Sequence, residues 1–341
     1  MRPQYYQLAT RFIPARHQAA LLLEYAHSRE LESDALLRGT HLFESDILAP
    51  ETYISPADYL RLLANIQTAL AAPDTSFMLG QLLLPGHYGN LSHALLHACN
   101  LRQAITILST YQATLSPLLA PHLLLHDETA VLHWTNSCVT PGLRSFVVEM
   151  MMAAVVGMSR WLTGERLPWE FRFNRTRPPH IEQYAVHLGT RFRFDDYLDA
   201  MSLPASWLDR PWPRGSAMAV SAALAAVPET EKNRSLLADL YEFLTDHVRV
   251  APSLEQASTA FGVSPATFKR HLAAHGTHFQ AEIDLVRAHA VLRLIHTCGY
   301  SNEQIAAWLG FHDTNNFRRS FKRWTGLTPS VLRARLLESG T

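Results

Sequence analysis

The chain has 341 residues, 48% of which are hydrophobic, and its 30 lysines and arginines balance its 30 acidic residues. Such a length predicts about two domains with sizeable cores. A net charge of zero excludes a chain that is basic throughout, so a nucleic-acid partner would have to meet a local patch of positive charge.

Helices and a few strands alternate over the first two-thirds of the chain. Ser55 followed by Pro56 predicts the start of one helix, and Asn100 predicts the start of another. Residues 145–164 are apolar on almost every face, which predicts a buried helix that ends at Gly164. Strands are predicted from alternating or paired apolar runs at 123–135, 169–174 and 190–194. These elements predict an α+β fold.

Composition changes between residues 210 and 233, where Pro, Gly, Ser and Ala replace any strong amphipathic pattern. A stretch of this kind predicts a linker. The α+β domain then spans residues 1–209, and an all-α domain follows over residues 234–338.

A repeat organises the predicted all-α domain. The segment that begins at Ser253 resembles the one that begins at Ser301: each opens with a capping box, breaks at a glycine and restarts as a second amphipathic helix. A short helix, a tight turn and a second helix form a helix-turn-helix. Residues 279–297 keep helical spacing between the copies, and about 18 residues would span roughly 27 Å. Since one DNA turn is about 34 Å, the two second helices are predicted to enter successive major grooves.

The second copy carries the denser positive charge. Residues 314–337 include six arginines and lysines and no acidic residue. Phe317 and Phe321 would stack on one helix face, which leaves the cations on the rest of the surface. A charge run is usually only a solvated face, but two copies with a basic second helix favour DNA binding.

The C-terminal third resembles the DNA-binding domain of AraC/XylS-type transcription regulators. The matching residues are Gly310, Phe311, Phe317, Phe321, Lys322, Gly326, Thr328, Pro329 and Arg333. Leu332 departs from the pattern, because an aromatic residue usually precedes that arginine. The first two-thirds is similar to the arabinose-binding-like domain of one branch of this family, through residues 79–96, 168–196 and 202–213.

This resemblance implies a bacterial, effector-responsive activator that binds promoter DNA. It implies that residues from both copies face DNA: Ala266, Thr267, Lys269 and Arg270 from the first, and Thr314, Asn315, Arg318, Arg319, Lys322 and Arg323 from the second. Arginine suits guanine and asparagine suits adenine, whereas Lys322 and Arg323 would hold phosphates. Further implied partners are RNA polymerase, an amino-acid-like or fatty-acid-like effector, and a second copy of the chain.

Two other functions stay open at this point. One is an enzyme, metal-dependent or cofactor-free, whose basic helices are structural. The other is a dimeric regulator that needs no ligand. Three histidine pairs have a four-residue spacing, but none has the glutamate of a zinc protease and third ligands are not evident. These pairs are His93/His97, His122/His126 and His271/His275. With no phosphate-binding glycine loop or nucleophile elbow in the sequence, we expect no catalytic residue, no metal and no cofactor.

Cysteines and apolar runs bear on the cellular compartment. Cys99, Cys138 and Cys298 are far apart and match no metal spacing, which favours buried thiols in a reducing cytoplasm. The N-terminus lacks the apolar core of a signal peptide, and the apolar run at 150–158 has half the length of a membrane span. We therefore expect a cytoplasmic protein without a membrane segment.

Overall fold

The computed structural model describes residues 5–126, 128–250 and 252–337. These residues form two compact units, 5–236 and 237–337. Asp127, within the predicted strand segment 123–135, and the predicted domain end at residue 338 lie outside the described residues, as do the side chains of His126 and Cys298.

The first unit combines helices and strands. Its helices are α1 (Gln18–His27), α2 (Ser33–Leu36), α3 (Glu44–Leu48), α4 (Pro56–Leu70), α5 (Thr75–Leu83), α6 (Asn90–Leu96), α7 (Leu101–Thr110), α8 (Gln112–Leu115), α9 (Pro141–Thr163), α10 (Ile181–His187) and α11 (Ala217–Ala225). Its strands are β1 (Ile13–Pro14), β2 (Tyr53–Ile54), β3 (Leu119–His126), β4 (Thr129–Asn136), β5 (Glu170–Arg172), β6 (Phe192–Arg193) and β7 (Ala200–Pro204).

Five strands form the main sheet in the order β3-β4-β7-β5-β6. β3 and β4 pair antiparallel as a hairpin, β7 lies antiparallel to both β4 and β5, and β6 runs parallel to β5. The hairpin and the strands β5 and β6 confirm the predicted strands. Sequence reasoning missed β7, which is central to the sheet. Four of its five residues are buried, so its sequence shows no alternation of apolar and polar positions.

Helix α9 lies at the centre of the first unit. Gly164 ends it in a left-handed conformation with φ 78°, as predicted. α9 packs against α5 so closely that a Cβ atom at Gly80 would lie 2.2 Å from the Met150 carbonyl oxygen, a contact that requires glycine. Among the described helices, α9 alone has the length and apolarity of a membrane span, and 72% of its most apolar window is buried.

A buried polar network joins α9 to α5 and α10. The Glu149 carboxylate, only 9% exposed at its side chain, accepts hydrogen bonds from the hydroxyls of Ser76 and Tyr184. Arg175 donates to the same carboxylate at 2.5 Å and lies over the Tyr184 ring. Burial, followed by the charge of Glu149, raises the pKa of Tyr184, so this hydroxyl stays protonated and donates. The buried carboxylate is therefore both paired and hydrogen-bonded.

Residues 210–233, the predicted linker, contain α11 and belong to the first unit. The Trp212 amide donates to the Cys99 carbonyl at 2.8 Å, and the Ser216 amide donates to the His97 carbonyl at 2.8 Å. These bonds tie the segment to the residues that follow α6. Helix α11 itself packs against α6. Alanine-rich helices pack closely without a strong amphipathic pattern, so periodicity could not predict α11. The predicted boundaries of the functional domains and their linker, 1–209, 210–233 and 234–338, stay a prediction.

The cysteines agree in part with the expected buried thiols. Cys138 is buried, and burial raises the pKa of its thiol, whereas Cys99 is half-buried. Neither of these two described side chains forms a disulfide.

The second unit is helical throughout its described residues. Its helices are α12 (Leu236–Asp246, whose first residue closes the first unit), α13 (Leu254–Ala260), α14 (Pro265–Ala274), α15 (Phe279–Cys298), α16 (Asn302–Trp308), α17 (Thr314–Thr325) and α18 (Pro329–Leu337). Its core includes five fully buried side chains: Phe268, Leu272, Phe317, Phe321 and Leu332. Leu332, which departs from the family pattern, thus still fills a core position.

Candidate DNA-binding interface

Helix α17 begins and ends at residues that satisfy its backbone. The Asp313 carboxylate accepts from the Asn316 amide at 2.7 Å and caps the N-terminus. Gly326 closes the C-terminus with φ 75°. Phe317 and Phe321 are fully buried, with ring centroids 5.9 Å apart. These contacts fix which face of α17 meets the core.

The opposite face of α17 carries the charge. Asn315, Arg318, Arg319 and Lys322 are all exposed and follow helical spacing of three and four residues. Of these four, Arg319 lies about 180° around the helix from the buried phenylalanines, Asn315 and Lys322 lie about 120–140° away, and Arg318 lies nearest, at 100° per residue. This face therefore offers one amide and three cations to solvent.

A chain of hydrogen bonds runs along the first two turns of α17. The side-chain nitrogen of Asn316, Nδ2, donates to the second carboxylate oxygen of Asp313 at 2.6 Å. Its side-chain oxygen, Oδ1, accepts from the Arg319 guanidinium at 2.7 Å. Arg319 is thus held by the capping residue through Asn316. A guanidinium fixed in this way loses less side-chain entropy on binding a ligand.

Helix α14 is constructed in the same way. Ser264 caps it by accepting from the Thr267 amide at 3.2 Å, and Phe268 and Leu272 are buried beneath it. The Thr267 hydroxyl accepts from Ser264 Oγ at 3.0 Å, so this threonine is half-buried and engaged in the cap. The other three predicted contact residues of this copy are exposed: Ala266, Lys269 and Arg270.

The 20-residue helix α15 lies between the two pairs of helices in the chain. Near its start, the Phe279 ring lies 6.3 Å from that of Phe268 in α14. Further along, Asp284 pairs with Arg323 of α17 at 3.4 Å. α15 therefore touches both charged helices. At 1.5 Å per residue its length is roughly 30 Å, close to the predicted 27 Å.

The predicted contact residues separate into three kinds. Two, Thr267 and Thr314, are half-buried at the helix starts. Arg323 is exposed but paired with Asp284. The others are exposed, with Arg319 held by Asn316: Ala266, Lys269, Arg270, Asn315, Arg318, Arg319 and Lys322. Sequence reasoning missed Asn316. The spacing Asp313, Asn316, Arg319 places three polar groups at i, i+3 and i+6, which is the signal that could have found it.

Other chemistry has little support among the described residues. They include no group of three or more His, Cys, Asp or Glu placed to hold a metal ion. The His93 and His97 rings lie 4.5 Å apart, and His122 belongs to the strand β3 as predicted. Directly after α14, burial and the neighbouring His271 lower the pKa of the C-cap residue His275 to about 4.

Two capped helices that bury aromatics and expose cations are features of a helix-turn-helix DNA-binding protein. Family models agree on both parts of the chain. Residues 31–212 match the arabinose-binding domain of AraC transcription regulators, N-terminal part, and residues 257–335 match a helix-turn-helix domain. The chain belongs to the AraC family of transcription regulators.

Individual relatives extend over nearly the whole chain. The ornithine utilization regulator of Pseudomonas aeruginosa is 30% identical over 94% of this chain and 96% of its own length. An uncharacterised HTH-type transcriptional regulator of Mycobacterium bovis is 21% identical over 91% of this chain and 93% of its own. The crystal structure of the transcriptional regulator CdpR from P. aeruginosa covers 93% of this chain and 98% of that one, with 19% identity and a TM-score of 0.47.

Proposed function

We propose that the protein is a cytoplasmic, effector-responsive activator of transcription. Helices α14 and α17 act as two recognition helices that enter successive major grooves of one promoter site. The single observation that carries this proposal is the repeat: two capped helices with outward cations, on either side of a helix about one DNA turn long. The enzyme alternative has no specific observation in its favour.

The assigned roles follow from chemistry and position. Arg319 and Asn315 occupy the outermost face of α17 and suit guanine and adenine edges. Lys322 and Arg318 flank them and suit phosphates, as does Arg323 once it leaves Asp284. In α14, Arg270 and Lys269 take the corresponding roles. We propose RNA polymerase and a second copy of the chain as protein partners.

The first unit is proposed to sense a small molecule. Its support is the match of residues 31–212 to a ligand-binding domain model. Both effector classes expected from the sequence remain candidates at this level, and the name of the ornithine utilization regulator adds ornithine to the compounds worth testing.

Selection of binding sites from a library of random duplexes, using the full chain, tests this proposal. We expect enrichment of two half-sites about 10.5 base pairs apart, and an affinity that falls steeply with salt. Scrambled duplexes should bind more weakly by a factor on the order of 10³ or more. A folded protein that enriches no sequence would contradict the proposal. Enrichment of a single short site would restrict recognition to one helix.

A further inference from the structure

A groove of about 520 Å³ opens on the first unit between α5, the C-terminal half of α9 and the end of α10. Small-molecule sites are clefts of about 300–1,000 Å³, so the groove has the capacity for a ligand. Its wall is apolar where Ala153 and Val156 face it. Trp161 and Val186, 59% and 63% exposed, are large apolar side chains that line it without being buried. A ligand with an apolar part would cover them.

Arginines and hydrogen-bonding groups line the rest of the groove. Arg166 donates to the Val186 carbonyl at 3.0 Å, which anchors it at the end of α10. Gln81 and His187 are bonded to each other, Nε2 to Nδ1, at 3.0 Å. Arg160 is exposed and forms no ion pair with a described residue. The groove therefore holds one anchored and one available guanidinium.

The charge of the lining selects among ligands. Of the described residues that line the groove, none is aspartate or glutamate. The two arginines are thus not neutralised within it, although the last carbonyls of α9 add a partial negative charge near Arg160. A guanidinium pairs with a carboxylate through charge-assisted hydrogen bonds. An ammonium group would find no carboxylate among the lining residues, and Asp74, whose charge acts on His187, lies outside the lining.

We propose that this groove binds an amphipathic carboxylate, a fatty or aromatic acid without a basic group. The carboxylate pairs with Arg160 and Arg166, and the apolar part lies on Trp161 and Val186. This inference rests on the proposed function in taking the first unit as the sensory one. Of the two effector classes that the sequence left open, the fatty-acid-like class fits this groove, because it carries a carboxylate and no ammonium group.

Three probes of equal chain length test the ligand class by calorimetry on the full chain. They are octanoate, 1-octanol and 2-aminooctanoate. We expect octanoate to bind about tenfold or more tightly than either of the others, because only octanoate offers a carboxylate without a buried ammonium. Equal binding of octanoate and octanol, or no binding of octanoate, would overturn the proposal.

Arg160→Gln is the informative variant, since Arg160 makes no contact that the fold needs. It should weaken octanoate about tenfold and leave octanol unchanged. Arg177→Gln, an exposed arginine that does not line the groove, is the matched control and should change neither. Circular dichroism checks that both variants are folded. An equal loss of octanoate in both variants would mean non-specific binding and would also overturn the proposal.

Two further measurements separate this inference from the proposed function. Sedimentation of wild type and Trp161→Glu tests whether a second copy covers the groove; a dimer that this variant splits, with no octanoate bound, would assign the groove to an interface instead. Binding of a selected duplex by the same preparations is the second measurement. Duplex binding without octanoate binding defeats the ligand site alone, whereas failure to select any duplex defeats the proposed function whatever octanoate does.

Discussion

Helices α14 and α17 share their construction but differ in what they offer to solvent. Both have a capping residue and two buried residues at matching positions, with an offset of 49 residues between the copies. Where α17 exposes Asn315 and Lys322, α14 exposes Ala266 and Ala273. Each helix retains the paired cations in its second turn.

The polar chain along α17 also has no equivalent in α14. Asn316 links the cap to Arg319, whereas Thr267, at the matching position, bonds to the cap Ser264. The two copies therefore share one fold but expose different side chains to solvent. We infer that the pre-organised Arg319 of α17 discriminates between bases more sharply than Arg270 of α14.

Changing the helix between them should have the largest effect. Inserting two alanines after Ala288 in α15 would rotate the second pair of helices by roughly 200° about the helix axis. Binding to a selected duplex should fall by a factor on the order of 10³, to the level of scrambled DNA, because both helices can no longer reach one face. Titration of both duplexes measures this.

Circular dichroism and the salt dependence of scrambled-duplex binding serve as controls for the insertion. Both should match wild type, since the cations remain. If the folded variant kept wild-type affinity for the selected duplex, one helix alone would carry recognition. We would then assign it to α17.

Removing the arginines one at a time compares the helices directly. Arg319→Ala should cost about 1–3 kcal/mol at one base pair and relax the preference there. Arg270→Ala should cost less and change the preference less. Affinities for duplexes with each base pair substituted in turn give both values. Equal losses of specificity would show that the two helices read DNA equally.

The polar chain is tested by Asn316→Ala. Arg319 stays but is no longer held, so we expect a loss of about 0.5–1.5 kcal/mol in discrimination at the base pair that Arg319 contacts. Thr267→Ala is the matched variant in α14 and should cost less discrimination, because the Thr267 hydroxyl bonds to the cap Ser264. Combining Asn316→Ala with Arg319→Ala should add nothing further, and additive losses would refute the positioning role of Asn316.

Phosphate contacts should differ by one charge between the helices. Lys322→Ala should weaken selected and scrambled duplexes alike and reduce the salt slope by about one. The reciprocal change in α14, Ala273→Lys, should steepen the slope by about one. Affinities measured across a range of salt concentrations test both. A loss confined to the selected duplex would assign Lys322 to a base instead of a phosphate.

Acidification should affect α14 and spare α17. His275, the C-cap residue of α14, corresponds to Trp324 near the end of α17, and burial lowers the pKa of His275 to about 4. Because this folded-state pKa is below the ordinary value of about 6.5, the neutral histidine stabilises the fold above pH 6.5, and that stability is lost as the pH falls towards 4. The loss should be about 1 kcal/mol at pH 6.

An imidazole titration followed by NMR, with the signal assigned through His275→Gln, measures this pKa directly. The same variant should reduce the pH dependence of unfolding by urea between pH 6.5 and 5, and the remainder comes from other buried histidines such as His17 and His133. A titration midpoint near 6.5 would show that His275 is solvated and would remove this difference between the helices.

Local patterns predicted much of this molecule. Ser55 and Asn100 cap helices as expected, and Phe317 and Phe321 are buried together, because caps and helical spacing act within a few residues. The central strand β7 and helix α11 were missed. Each depends on packing against elements distant in the chain, since β7 is buried on almost every residue and α11 is rich in alanine.

Much the same division applies to the candidate sites. The cations of α14 and α17 could be predicted because a repeat places them at matching positions. Asn316 follows a readable spacing but matters only once the side-chain bonds are known. The groove could not be predicted, because Gln81, Trp161 and Val186 come from three helices that only the fold brings together.

The close approach at Gly80 decides which parts of the groove can respond to a ligand. Gly80 brings the α5 backbone against the Met150 carbonyl and the Ala153 Cβ of α9, and so close a packing resists sliding of the two helices. They make one rigid wall. The opposite wall, α10, is held by side chains instead, through Tyr184 to Glu149 and through the Arg166 guanidinium. A ligand in the groove would therefore displace α10 more readily than α5 or α9.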